Sequence, residues 1–431
     1  MPGLPLRTLE QWLDYQLGVH PRCVELGLAR VGEVWRRLGA PRPAPLVITV
    51  AGTNGKGSTV AFVEAMLAAG GYRAGAYTSP HVLAYNERVR IAGIDIGDAL
   101  LVAAFERIDA ARGDIPLTYF EFGTLAAFLV FADAGLDVAV LEVGLGGRLD
   151  AVNLIDADVA IVTTIALDHQ DWLGSDRDSI GREKAGVARA GRPLVIAEAD
   201  PPAGLLAAAA AHGARLVRAG IDYGIERAGF GWCWNGPGGS LPLPPLLLEA
   251  GCQPANAAAA IAALRELSER LPLPAEAIAR GAGQARVRAR LQRTRVGEGE
   301  LVVDVAHNPQ AAAVLAEWLA REPASDTVAV FGALDDKDVA GMLQPLRAHV
   351  TEWHLVDLSA ESARGRDLLS LDTEFGTALG PLRRSCWGDV ATALDTLAPR
   401  LHAGTRIVAF GSFLIAAAAL RWLQNQNVAA R

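Results

Sequence analysis

Short apolar runs rich in β-branched residues alternate with helical patterns along most of the chain, as in an α/β protein with a mostly parallel sheet covered on both faces. The first run, Leu46-Val47-Ile48-Thr49-Val50, follows a helical segment and a proline-rich exit at Pro41, Pro43 and Pro45. Buried strands are expected at 137–143, 158–165 and 193–197. Residues 228–250, rich in Gly, Pro and Trp, read as an irregular or short β excursion, and 254–271 as an alanine-rich helix. A second α/β series starts near residue 296, with strands expected at 301–305, 327–331, 352–356 and 406–410. Each of these strands runs into polar or glycine-bearing text, and open α/β sheets bind ligands outside the carboxyl ends of their strands. The arginine-rich stretch from Arg286 to Arg295 marks a boundary. The expected division is therefore an N-terminal domain at 1–290 and a C-terminal domain at 291–431, with a linker around 285–296.

A length of 431 residues supports this two-domain reading, and 51% apolar residues rule out a mainly disordered chain. Mean hydropathy is +0.23, yet no window offers the ~20 uninterrupted apolar residues of a spanning helix. Glu10 and Asp14 precede any apolar stretch, so no secretory leader is expected. Cys23, Cys233, Cys252 and Cys386 form no CxxC pair, which fits a reducing cytosol. A net charge of −8 without a lysine-rich patch argues against nucleic acid as a partner. The expectation is a cytoplasmic protein that binds neither membrane nor nucleic acid.

The basic residues change this picture. Of 40, only Lys56, Lys184 and Lys337 are lysine; arginine takes every other position. A lysine that survives such a bias marks a place where a guanidinium fails, because only an amine can lose a proton and act as a nucleophile.

Lys56 lies in Ala51-Gly52-Thr53-Asn54-Gly55-Lys56-Gly57-Ser58-Thr59, between the first strand and a helix. Glycines there let backbone N–H groups approach phosphate oxygens, the helix N-terminus adds positive dipole, and Lys56 supplies charge. The spelling departs from GxxxxGK[ST]: position 50 is Val, and Gly57 separates Lys56 from Ser58. Glu142 ends an apolar strand before Val143-Gly144-Leu145-Gly146-Gly147-Arg148-Leu149-Asp150; it either pairs with an arginine or holds Mg²⁺, a cation that takes one or two carboxylates beside phosphates. Asp168-His169 ends the next strand on the same edge, where the histidine is either packed or a ligand. Lys184, in Gly181-Arg182-Glu183-Lys184-Ala185-Gly186, is either a helix-surface lysine or a functional amine.

These segments occur in one order with Thr78-Ser79-Pro80-His81, Tyr85-Asn86-Glu87-Arg88, Leu117-Thr118-Tyr119-Phe120-Glu121-Phe122, Asp304-Val305-Ala306-His307-Asn308-Pro309 and Gly411-Ser412-Phe413. Together they resemble the folylpolyglutamate synthase family of the Mur-ligase superfamily, and most the bifunctional dihydrofolate synthase/folylpolyglutamate synthase branch, over about residues 7–420. The resemblance implies a P-loop-containing Mur-ligase-type central domain with a mostly parallel sheet and a smaller Rossmann-like α/β C-terminal domain. It implies an ATP-dependent acid–amino-acid ligase that adds L-glutamate to dihydropteroate and to reduced folates through an acyl phosphate. Alternatives are a folylpolyglutamate synthase alone or a related Mur-type ligase.

By the same resemblance, Asn54, Gly55, Lys56, Gly57, Ser58, Asn256, Arg290 and Asp304 would bind ATP. Ser79, Glu142 and His169 would be ligands of Mg²⁺, present as two ions. Thr118, Tyr119, Phe120, Glu121, Leu149, Asp150 and Ala151 match segments that hold the pterin substrate, and His307 and Ser412 positions near glutamate. Relatives more often have Gly-Arg-Phe-Gln where this chain has Ala289-Arg290-Leu291-Gln292. Lys56, His169 and Lys184 would be catalytic, with Lys184 carbamylated by CO₂. Only a neutral amine can form a carbamate, and at an ordinary pKa of about 10.4 roughly one lysine in 2,500 is neutral at pH 7. A pocket that lowers this pKa is therefore expected. The family is usually monomeric. Lys337, in Leu334-Asp335-Asp336-Lys337-Asp338, is expected to approach ATP or the intermediate.

Overall fold

The computed structural model describes residues 7–22 and 24–429, so Cys23 lies outside the described residues. The chain divides into two compact units. One comprises the chain up to His81, Tyr85–Leu247 and Gln253–Arg286; the other comprises Val82–Ala84, Leu248–Cys252 and Val287–Arg431.

In the first unit, strands β1 (Leu46–Ala51), β2 (Ala74–Tyr77), β3 (Val89–Ile91), β4 (Ile94–Asp95), β5 (Val138–Glu142), β6 (Val159–Val162), β7 (Pro193–Ile196) and β8 (Arg215–Arg218) form one sheet. Its order is β4-β3-β2-β5-β1-β6-β7-β8. All neighbours are parallel except the β2–β3 and β3–β4 pairs at one edge. Every residue of β1 and β5 is buried, as expected for central strands covered on both faces. Helices Leu9–Val19, Ala29–Arg37, Asp98–Arg112 and Tyr119–Asp133 pack Trp12, Trp35, Phe105, Phe122 and Phe128 into the core of this unit.

Strands β2, β3, β4 and β8 escaped the reading of the sequence. They hold two to four residues each, too short for an apolar run, with glycine, alanine or charged residues among the apolar ones. The 228–250 excursion is ordered: β9 (Gly224–Ala228), β10 (Gly231–Gly236) and β11 (Gly239–Leu243) make an antiparallel sheet. Trp234 anchors it, fully buried and donating its indole N–H to the Ala258 carbonyl at 3.2 Å.

The second unit holds β12 (Gln292–Val296), β13 (Gly299–Val303), β14 (Asp326–Phe331), β15 (Glu352–Val356), β16 (Arg384–Trp387) and β17 (Thr405–Phe410), in the order β12-β13-β17-β14-β15-β16. Only β12 is antiparallel. It is an edge strand whose alternating half-buried and exposed positions carry Arg293 and Arg295, so arginine-rich text read as boundary pairs in a sheet. One sheet face buries Trp318, Phe331, Trp353, Phe375 and Phe410, and the other Val303, Val330, Ile407, Ile415 and Leu420. Cys233, Cys252 and Cys386 are free thiols. Among the described residues, no helix is long and apolar enough to cross a membrane.

Candidate active site

Strand β1 delivers the chain into a tight loop that opens the helix Lys56–Ala69. Gly52 has φ +147°, and a Cβ there would stand 1.8 Å from the Thr163 hydroxyl oxygen. Gly55 has φ +85°, and a Cβ there would meet the Asn256 amide oxygen at 2.6 Å. The loop is tied to the chain after β6: Thr53 N–H donates to Thr164 O (2.7 Å), Asn54 N–H to the Thr164 hydroxyl (3.0 Å), and the Thr163 hydroxyl to Asn54 O (2.6 Å). Glycine is therefore required by close approach as well as by backbone angle. Ser58 is buried and accepts from Gln253 Nε2 at 3.3 Å, while Asn256 donates to Gln253 Oε1 at 3.0 Å. Gln253, the first residue of the alanine-rich helix, went unrecognised because nothing in its local text sets it apart.

Two of the three lysines meet here. Lys56 Nζ donates to the carbonyls of Gly52 and Thr53, both at 3.1 Å. Lys184, on the helix Arg177–Ala185, donates to the same Gly52 carbonyl at 2.9 Å and is only 3% exposed. Burial, and after it the charge of Lys56, bring the Lys184 amine down to about 7, against the pull of Asp168 and Asp150. The surface-lysine alternative is thereby excluded.

Glu142 is buried at the end of β5; its Oε2 accepts the Ser79 N–H at 3.0 Å. A Cβ on Gly57 would lie 3.7–3.8 Å from both Glu142 oxygens, so loop and carboxylate face each other. Strand β6 stops at Val162, three residues earlier than the apolar run suggested, because Thr163 and Thr164 turn to bind the loop. Asp168 and His169 therefore stand in the following segment rather than at a strand end; His169 has φ +51° and donates its N–H to Asp168 Oδ1 at 2.9 Å. Among the described residues, no three His, Cys, Asp or Glu side chains gather as a ready metal cage. A hard divalent cation fits Glu142 all the same, since Mg²⁺ is completed by water and phosphate oxygens.

The two segments matched to the pterin substrate meet. A Cβ on Gly144 would touch the Phe120 ring at 2.6 Å, and Phe120 lies 6.1 Å from the Tyr77 ring. Thr118 caps the helix Tyr119–Asp133 in a capping box with Glu121. The Glu121 carboxylate accepts from Thr118 N at 2.8 Å and pairs with Arg30 at 3.0–3.1 Å, so it is spent on the scaffold. Asp150 is spent likewise, accepting from the N–H groups of Gly144, Leu145 and Val152; burial lifts its carboxyl to about 6 despite those bonds. Leu149 O accepts the Gly27 N–H at 3.2 Å, and Ala151 is buried.

The second unit gathers Arg290, Asp304, His307 and Ser412. Asp304 accepts from Leu291 N (2.7 Å) and Ala306 N (2.8 Å); burial raises its carboxyl, opposed by Arg290. Ala289, Leu291 and Ala306 all have positive φ, strain that this carboxylate and the Val305 N–H to Ala289 O bond hold in place. The Phe413 ring lies 5.6 Å from the Arg290 guanidinium and 5.9 Å from the His307 ring. Ser412 is buried and accepts from Ile415 N at 3.1 Å. Lys337 pairs with Asp336 at 3.3 Å.

Residues 50–229 match the Mur ligase middle domain and 289–413 the Mur ligase glutamate ligase domain. The dihydrofolate synthase/folylpolyglutamate synthase of Escherichia coli K12 is 44% identical over 407 residues, which cover 94% of this chain and 93% of that protein. The structure of E. coli FolC with DHPP and ADP has a TM-score of 0.91 at 41% identity, covering 98% of this chain and 99% of the other. A bifunctional folylpolyglutamate synthase/dihydrofolate synthase with Mn, AMPPNP and L-glutamate bound has a TM-score of 0.88 at 43% identity, covering 98% and 100%. With a glycine loop between strand and helix, a buried near-neutral lysine and two α/β units in the matching order, the chain belongs to the dihydrofolate synthase/folylpolyglutamate synthase family of Mur ligases.

Proposed function

We propose that this chain is an ATP-dependent amide ligase joining L-glutamate to dihydropteroate, which gives dihydrofolate, and to reduced folates, which lengthens the glutamate tail. The observation that carries this reading is the convergence of Lys56 and Lys184 on the Gly52 carbonyl, with the Lys184 amine held near neutrality.

A carboxylate oxygen of the acceptor attacks the γ-phosphorus of ATP, and the bond to ADP breaks. The α-amine of glutamate then attacks the acyl carbon, loses a proton, and phosphate leaves. Such chemistry needs positioning and charge neutralisation more than a side-chain nucleophile. Asn54 to Ser58 line the phosphates, with the N–H groups from Gly55 on and a helix N-terminus offered to them and Asn256 beside Gly55. Lys56, now turned onto its own loop, swings to the outer phosphates. Mg²⁺, carried by Ser79, Glu142 and His169, supplies charge neutralisation on the phosphate oxygens. The Lys184 nitrogen attacks CO₂, forming an N–C bond and releasing one proton, and the carbamate orients the metal or phosphate. At a pKa of about 7 half the amines are neutral at pH 7, where an ordinary lysine offers almost none. Phe120, Tyr119 and the Leu149–Ala151 turn hold the pterin, while Glu121 and Asp150 shape that turn and cap. Arg290 and Asp304 contact ATP; His307 and Ser412 serve glutamate.

The test is ADP release with ATP, Mg²⁺ and L-glutamate, comparing dihydropteroate, tetrahydrofolate and a UDP-muramoyl peptide. Glutamate-dependent release with the first two and none with the third is expected. Release that ignores glutamate would make the chain a hydrolase or kinase.

A further inference from the structure

The motif Tyr85-Asn86-Glu87-Arg88 forms a 3₁₀ turn that carries a guanidinium into the interior of the first unit. Arg88 is only 8% exposed. Its Nε donates to His81 Nδ1 at 3.0 Å, which places the histidine proton on Nε2. The guanidinium carbon lies 5.2 Å from the Tyr85 ring and 5.6 Å from the Tyr119 ring. Among the described residues no carboxylate pairs with Arg88, and its two terminal nitrogens have no hydrogen-bond acceptor.

The contrast with its neighbours is sharp. Arg90, two residues on, binds Glu64 through two nitrogens at 2.9–3.3 Å, and Arg30 binds both Glu25 and Glu121. A buried cation without an anion is costly, and two ring contacts offset only part of that cost. The hydroxyl of Tyr85 is also buried without a partner. Gly123 leaves room for it, since a Cβ there would stand 2.6 Å from the hydroxyl oxygen. Tyr119, the other ring beside Arg88, belongs to the turn already assigned to the acceptor.

We propose that Arg88 binds a carboxylate of the acceptor, which completes the missing ion pair. This rests on the reading of Thr118–Glu121 as acceptor-binding. Dihydropteroate has one carboxylate, the reacting one; tetrahydrofolate has two, both on its glutamyl tail, the reacting γ-carboxylate and an α-carboxylate, and the two acceptors together distinguish which is held.

Arg88→Met and Arg88→Lys, assayed by glutamate-dependent ADP release with each acceptor, test this. For Arg88→Met the acceptor KM rises about 10- to 100-fold. The KM values for ATP and glutamate stay within about twofold. Tm does not fall, because an uncompensated buried charge is removed, and Arg88→Lys recovers part of the lost affinity. A rise with both acceptors assigns the reacting carboxylate, and a rise with tetrahydrofolate alone assigns the α-carboxylate of its glutamyl tail. Unchanged KM for both acceptors overturns the proposal, as does a lowered Tm with all three KM values raised together. A wild-type chain that releases no ADP with either acceptor overturns the underlying reading instead.

Discussion

Lys184 and Lys337 are both buried lysines in a chain that uses arginine at 37 of its 40 basic positions, and their charged surroundings differ. Lys184 sits on a backbone carbonyl, with burial and then the charge of Lys56 acting on it, and its amine falls to about 7. Lys337 has Asp336 at 3.3 Å. Burial pushes the Asp336 carboxyl up, but Lys337 and Arg364 outweigh it and hold that carboxyl below its usual range. Burial beside a second cation thus produces a near-neutral amine, while burial beside a carboxylate produces an ion pair. The same side chain is a buried near-neutral amine in one unit and half of an ion pair in the other.

The largest effect that separates them is chemical. Lys184→Arg abolishes synthesis, a loss of about 10³-fold in kcat with the fold intact, because a guanidinium cannot form a carbamate. Lys337→Arg keeps the charge and loses less than about tenfold. Equal losses in steady-state assays would erase the distinction, and a fully active Lys184→Arg would refute the modification.

A thermodynamic test sharpens it. The folded-state pKa of Lys184, about 7, lies below the unfolded value of about 10.4. Between those limits the unfolded chain holds the extra proton, so stability rises with pH; below about 7 the penalty is complete. Lys184→Met in CO₂-free buffer therefore raises Tm more at pH 6.5 than at pH 10. A pH-independent change in thermal scans would contradict the buried-amine account.

The smallest effects belong to the ion pair. Asp336→Asn costs about 1 kcal/mol near pH 7 in urea unfolding, since its ion pairs with Lys337 and Arg364 are lost. Because Asp336 is depressed when folded, that contribution is present above its unfolded pKa and fades as acid protonates it. Arg364→Ala, at the exposed side of the same carboxylate, costs under about 1 kcal/mol.

Apolar runs made β1, β5, β14 and β17 legible from the sequence, because a strand buried on both faces is mostly hydrophobic. The edge strands β4 and β12, and β3 next to β4, were not, since they hold two to five residues and their text is polar or very short. The site divided in the same way. Glycines and rare lysines flagged the phosphate loop, yet Gln253, Thr163 and Thr164 join it only through bonds spanning about a hundred residues or more.

What the amino-acid order settles by itself is the chemical inventory: a glycine loop with one lysine, a second lysine kept against the arginine bias, carboxylates at strand ends, and the motif order that marks the family. What it leaves to tertiary structure is the state of each group. Whether Lys184 is charged, whether Glu121 and Asp150 are free for a substrate, and whether Arg88 has an anion depend on neighbours distant along the chain. Desolvation and Coulomb forces act over ångströms of space, and only the fold determines which charges lie within that reach.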